Sequence, residues 1–147
     1  MIETGVIIKL VLAVLLGGII GWERETSHRA AGLRTHILVC LGATLVTISS
    51  LMFGDNADPS RIAANVVVGI GFIGAGVILK GKKEIVRGLT TAASLWLIAI
   101  IGLALGIGFY IGAIVTTILA FFVLKIDDFF DIKGKNANKE IKSDKTR

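Results

Sequence analysis

Apolar residues in this chain form long unbroken blocks rather than the narrow stripes of soluble helices. From Thr4 to Gly21 the one charged side chain is Lys9. A helix of that length rises about 27 Å, close to the ~30 Å hydrocarbon core of a bilayer. Two further blocks, THILVCLGATLVTISSLMF and IAANVVVGIGFIGAGVIL, have the same character. The pattern predicts membrane spans at about 4–21, 35–53 and 62–79. The next block, Leu89 to Ile126, has 38 residues. As one helix it would extend about 57 Å, too long for a single crossing. Its glycines and an interfacial tyrosine coincide at GIGFY, Gly106 to Tyr110, which predicts a break there. The block then gives spans at about 90–106 and 109–126.

The expected fold class is therefore an all-α polytopic membrane protein with five transmembrane helices. Basic residues orient it. Arg24, Arg29 and Arg34 lie in the first loop, Lys80, Lys82, Lys83 and Arg87 in the third, and seven more from Lys125 onward. Only Lys9 and Arg61 fall on the opposite side. By the positive-inside rule the N-terminus is outside and the C-terminus cytoplasmic. The N-terminal sequence has no basic n-region, and no small-residue cleavage site ends the first block, so that block reads as a retained span. Residues 1–126 form the expected membrane domain, and 127–147 a short charged cytoplasmic tail.

Composition agrees with the pattern. Of 147 residues, 54% are hydrophobic and only 18% charged, whereas soluble domains carry about 25% charge. The net charge of +5 is concentrated on one side, so it points to anionic lipid and requires no nucleic acid. The lone Cys40 lies in an apolar run and is read as a packing residue.

Candidate chemistry concentrates in GWERETSHRAAGLRTH, residues 21–36. Glu23 and Glu25 follow the end of the first apolar block, where a helix dipole disfavours negative charge. Arg24, Arg29 or Arg34 could compensate them, and Glu25 and Arg29 have the spacing of a helical ion pair. Two readings stand: a salt-bridge network, or a carboxylate pair holding a hard cation such as Mg²⁺. The metal assignment is open, with Glu23 and Glu25 as weak candidates. His28 and His36 read as interfacial polar residues, because no third zinc ligand is suitably spaced.

Glycines supply the other pattern. Gly17 with Gly21 and Gly102 with Gly106 are small-xxx-small pairs. Gly69, Gly71, Gly74 and Gly76 crowd the third span. Such positions let helices approach closely, or line an unwound path. Lys9 either snorkels outward or pairs with a carboxylate. No Walker loop, nucleophile elbow, HExxH or paired-cysteine motif occurs, so no enzyme is expected.

Four blocks, GWERE, AGLRTHILVCLGAT, GIGFIGAGVILK and GLTTAASLWLIAIIG, resemble in order the signature segments of the MgtC/SapB membrane-protein family. The resemblance covers roughly residues 5–126 and implies a bacterial inner (plasma) membrane protein with a five-span core. It implies a role in adaptation to low magnesium. One virulence member is linked to inhibition of the membrane ATP synthase. Family blocks fall on Glu23, Arg24, Glu25, Gly32, Leu33, Arg34 and Thr35, and on Gly71, Gly74, Gly76, Gly88, Thr91, Ala92 and Trp96. The chain departs from relatives at Thr90 and Leu97, where the virulence member has asparagine and cysteine, and at Asn65, where many have glutamine. Many relatives also carry a soluble ACT-like domain where this chain has its charged tail.

The expected function is a non-enzymatic one in magnesium, divalent-cation or membrane-energy homeostasis, exerted through a membrane-protein partner. The alternatives are a small ion transporter or channel, and an assembly component that forms homodimers. No cofactor is expected beyond possible association with Mg²⁺.

Overall fold

The structure is a computed structural model, and it describes residues 2–52, 58–80 and 86–126. Five helices form an all-α bundle: α1 (Ile2–Thr26), α2 (Leu33–Leu51), α3 (Pro59–Val77), α4 (Leu89–Ile107) and α5 (Tyr110–Ile126). A two-residue antiparallel ladder, β1 (Leu79–Lys80) with β2 (Val86–Arg87), links α3 to α4. Helices α1 to α4 are long and apolar enough to cross a membrane, while α5 is shorter.

The main departure from the sequence-based spans is at the end of α1. Hydrophobicity stops at Gly21, but the helix runs on through Thr26. It ends in a paired hydrogen-bond lock, with His28 N–H donating to Glu25 O and Arg29 N–H to Arg24 O, both at 3.0 Å. His28 is left-handed at φ 52°, a conformation glycine usually supplies at this position. Glu23, Arg24 and Glu25 therefore stand on the last helical turn rather than in a loop beyond it.

The break within the long apolar block uses the same device. Gly108 is left-handed at φ 90°, Gly108 N–H donates to Leu105 O at 3.0 Å, and Phe109 N–H donates to Ala104 O at 2.8 Å. At the start of α3, Asp58 accepts from Ser60 N at 2.9 Å, and Pro59 opens the helix. Ser60 Oγ donates to the same carboxyl oxygen at 2.6 Å, and the hydroxyl and amide hydrogen bonds together hold the Asp58 carboxyl below its usual range.

The core is where α1, α2 and α4 meet. A side chain at Gly17 or Gly21 would run into α2: a Cβ on Gly21 would stand 2.8 Å from Leu33 Cα. A Cβ on Gly102 would lie 2.5 Å from Cys40 O, and one on Gly106 would lie 2.4 Å from Thr47 Cβ. The approach is close enough for Thr44 Oγ1 to donate to its own-helix Cys40 O at 2.8 Å and to Gly102 O of α4 at 3.0 Å. Ala13, Ile20, Cys40, Ile98, Ile101 and Leu105 fill the space between. Helix α3 is peripheral, touching α4 at Gly74 and Ala92. Gly69, Gly71 and Gly76 have no atom within 4 Å of a would-be Cβ.

Lys9 neither extends free nor meets a carboxylate among the described residues. Its Nζ donates to Gly106 O at 2.7 Å, neutralising the carbonyl end of α4.

Candidate functional site

The C-terminal end of α1, the start of α2, the N-terminal half of α4 and the end of α5 converge in a buried polar knot. Glu23 and Arg24 are 0% and 1% exposed. Burying a charge without a partner is costly, so the two must answer each other. Arg24 Nε donates to Glu23 Oε2, and Ser27 Oγ donates to the other oxygen, Oε1, at 3.0 Å. Arg24 Nη2 donates across to Leu124 O on α5 at 3.2 Å.

Glu25, two residues on, is exposed and points elsewhere. Its Oε2 accepts from Leu33 N at 2.9 Å. The N-cap residue of α2 is Gly32, which has no side chain to cap its own helix. Glu25 thus supplies from α1 the cap that α2 lacks, and its negative charge suits the positive end of the α2 dipole. A Cβ on Gly32 would stand 1.7 Å from Glu25 Oε2, so glycine is what leaves the carboxylate room.

His36 ties the knot to α4. It is fully buried, which corrects its reading as an interfacial residue. Its Nδ1 lies 2.9 Å from Gly32 O, an acceptor only, so Nδ1 carries a proton. Its Nε2 lies 3.1 Å from Ser94 Oγ, and that hydroxyl also reaches Thr91 O at 2.9 Å. In the neutral imidazole, Ser94 has one proton to give and two acceptors to choose between. Sequence reasoning missed Ser94 and Leu124. Ser94 left only the faint signal of a small hydroxyl inside an apolar run, and a backbone carbonyl leaves none.

The remaining sequence candidates are dispersed. Arg29 and Arg34 are exposed, and Thr35 is half-buried. On α4, Thr91 is buried, whereas Thr90 and Trp96 are exposed. Asn65 and the glycines Gly69, Gly71 and Gly76 are each exposed on α3, while Gly74 is buried against Ala92. The span containing GIGFIGA is a continuous helix with no unwound segment. No cluster of three or more metal-ligating side chains occurs among the described residues.

Residues 10–131 match the model of the MgtC family. The chain is 53% identical over 107 residues to Protein MgtC of Brucella abortus, covering 72% of this chain and 44% of that protein. It is 43% identical over 140 residues to the putative magnesium transporter YhiD of Escherichia coli, covering 90% and 65%. Protein MgtC of Salmonella typhimurium is 48% identical over 113 residues, covering 77% and 48%. The chain thus spans about half the length of the curated MgtC relatives it matches. No solved structure matches it.

Proposed function

The chain belongs to the MgtC family, and on that premise we propose that it is a multi-pass inner-membrane protein of magnesium or membrane-energy homeostasis that acts through contacts with a membrane partner. It is non-enzymatic, and the proposed mode of action is scaffolding rather than conduction. One observation carries this reading: both carboxylates of GWERE are spent on protein donors. Glu23 is taken by Arg24 and Ser27, and Glu25 by the Leu33 amide. A divalent cation takes charged oxygens that are free to turn toward it, and here it would have to break a cap and a buried ion pair.

The proposed topology has five spans. The 17 described residues of α5 already reach the short end of the spanning range of about 17–25 residues. The N-terminus lies outside, and residues 127–147 form a cytoplasmic tail. The polar knot then faces the cytoplasmic leaflet, and the Lys9–Gly106 contact the outer one. Glu23, Arg24, Glu25, Arg29, Arg34 and Thr35 form the proposed cytoplasmic polar surface.

A transporter reading draws on the name of the Escherichia coli relative. It also draws on a cavity of about 370 Å³ between α2 and α3 that Gly69 helps to line. Leu38, Val39, Val46, Val66 and Ile70 make that cavity apolar, and a hydrated cation gains nothing from it. Purified full-length chain in liposomes with an internal Mg²⁺ dye tests the proposal. Flux equal to that of protein-free liposomes is expected, and robust flux lost in Glu25→Gln would overturn it.

A further inference from the structure

A second cavity, about 170 Å³ in volume, lies between α1, α4 and α5. Its inner wall is Ile20, Ser94, Ile101 and Ala120, and its rim includes the exposed Ala93 and Val123. The rim places the opening sideways between α4 and α5, toward the membrane interior rather than toward water. Cavities this apolar do not hold water readily and do take up hydrocarbon.

The cavity adjoins the knot at Ser94 and Leu124. Leu124 lines the cavity, and its carbonyl is the acceptor for Arg24 Nη2. Ile20, one helical turn before Arg24, lines it too. The other terminal nitrogen of the same guanidinium, Arg24 Nη1, is buried and has no hydrogen-bond partner among the described residues. A charged donor left so in a low-dielectric setting is costly and calls for an acceptor. The local charge favours an anionic one. Arg24 is paired with Glu23, and Lys125 directly follows on α5 the Leu124 whose carbonyl Arg24 reaches, so a second basic side chain belongs to the same helix end. Lys125 is itself steered along α5, with its ammonium 5.7 Å from the Phe121 ring centroid.

We propose that this cavity binds one anionic phospholipid, with an acyl chain between α4 and α5 and the phosphate accepting from Arg24 Nη1 and paired with Lys125. The site rests on the five-span topology proposed above but not on the proposed mode of action. The lipid would tie α5 to the α1–α4 core at a place where a buried charged donor has no partner among the described residues.

Native mass spectrometry of the full chain, exchanged into nanodiscs of equal phosphatidylglycerol and phosphatidylcholine, tests the site. One phosphatidylglycerol per chain should be retained over phosphatidylcholine by about fivefold, the scale of one basic group near an anionic lipid. Ala93→Leu, which fills the rim, and Lys125→Gln, an exposed change, should each lower that retention severalfold. Circular dichroism and elution volume should stay unchanged in both. Arg24→Lys keeps the charge but removes the second terminal nitrogen, and should lower retention as well. Equal retention of the two lipids in the parent chain would overturn the proposal. So would retention that survives both Ala93→Leu and Lys125→Gln. Displacement of the lipid by excess inorganic phosphate, whatever its acyl chains, would mark a free-phosphate site and overturn the lipid assignment.

Discussion

Gly102 of α4 and Gly71 of α3 occupy similar apolar helices, yet they face opposite surroundings. A Cβ on Gly102 would collide with the Cys40 carbonyl, and a Cβ on Gly71 would meet nothing within 4 Å. The first glycine is there so that two backbones can touch. The second stands exposed on the outside of the bundle. Glycine spacing alone therefore does not distinguish a helix that is packed within its own chain from one left open to lipid or to another molecule.

The sharpest way to break the comparison is to add the same side chain to both. Gly102→Val should cost about 3 kcal/mol or more through overpacking against backbone. Gly71→Val should change the thermal midpoint in detergent little. Equal losses would mean that α3 is packed far more tightly than described. The α3 variant carries a second readout, because any partner bound along that face should be displaced while the fold survives.

The two glutamates of GWERE give a parallel contrast, between a buried side chain and an exposed one. Glu23→Ala leaves the Arg24 charge buried and should cost about 3–5 kcal/mol. Glu25→Ala removes only the cap on α2 and should cost about 1 kcal/mol. Thermal midpoints of the two variants in one detergent check the order, and the reverse order would refute the assignment. The smallest effect is expected at His28. His28→Gly relieves a left-handed residue and should raise stability by about 1 kcal/mol or less, read as a higher midpoint.

These contrasts show which features the sequence carried. The break before Tyr110 was legible, because 38 apolar residues exceed one crossing and Gly108 is a residue that stops helices. The helical extension through Thr26 was not, because hydropathy tracks lipid contact whereas the helix ends where backbone hydrogen bonds close at His28. Polar crowding marked Glu23, Arg24 and Glu25 as unusual, but the partners stayed hidden. Glu25 is answered by a backbone amide eight residues away and Arg24 by a carbonyl 100 residues away. Neither acceptor nor donor is encoded by residue type. His36 was misread for a related reason: its depth comes from α4 packing over it, and its neighbours in sequence do not report that.

The central claim is that Glu23 and Glu25 are occupied by the protein itself. A ligand that binds only the folded state raises its stability in proportion to the logarithm of its concentration over its dissociation constant. The thermal midpoint of the full chain in neutral detergent, measured across a MgCl₂ series with KCl holding ionic strength constant, therefore tests the claim directly. The account predicts one midpoint across the series for the parent chain and for Glu25→Gln. A midpoint that climbs with Mg²⁺ in the parent and stays flat in Glu25→Gln would contradict it, because the carboxylate would then be holding the cation.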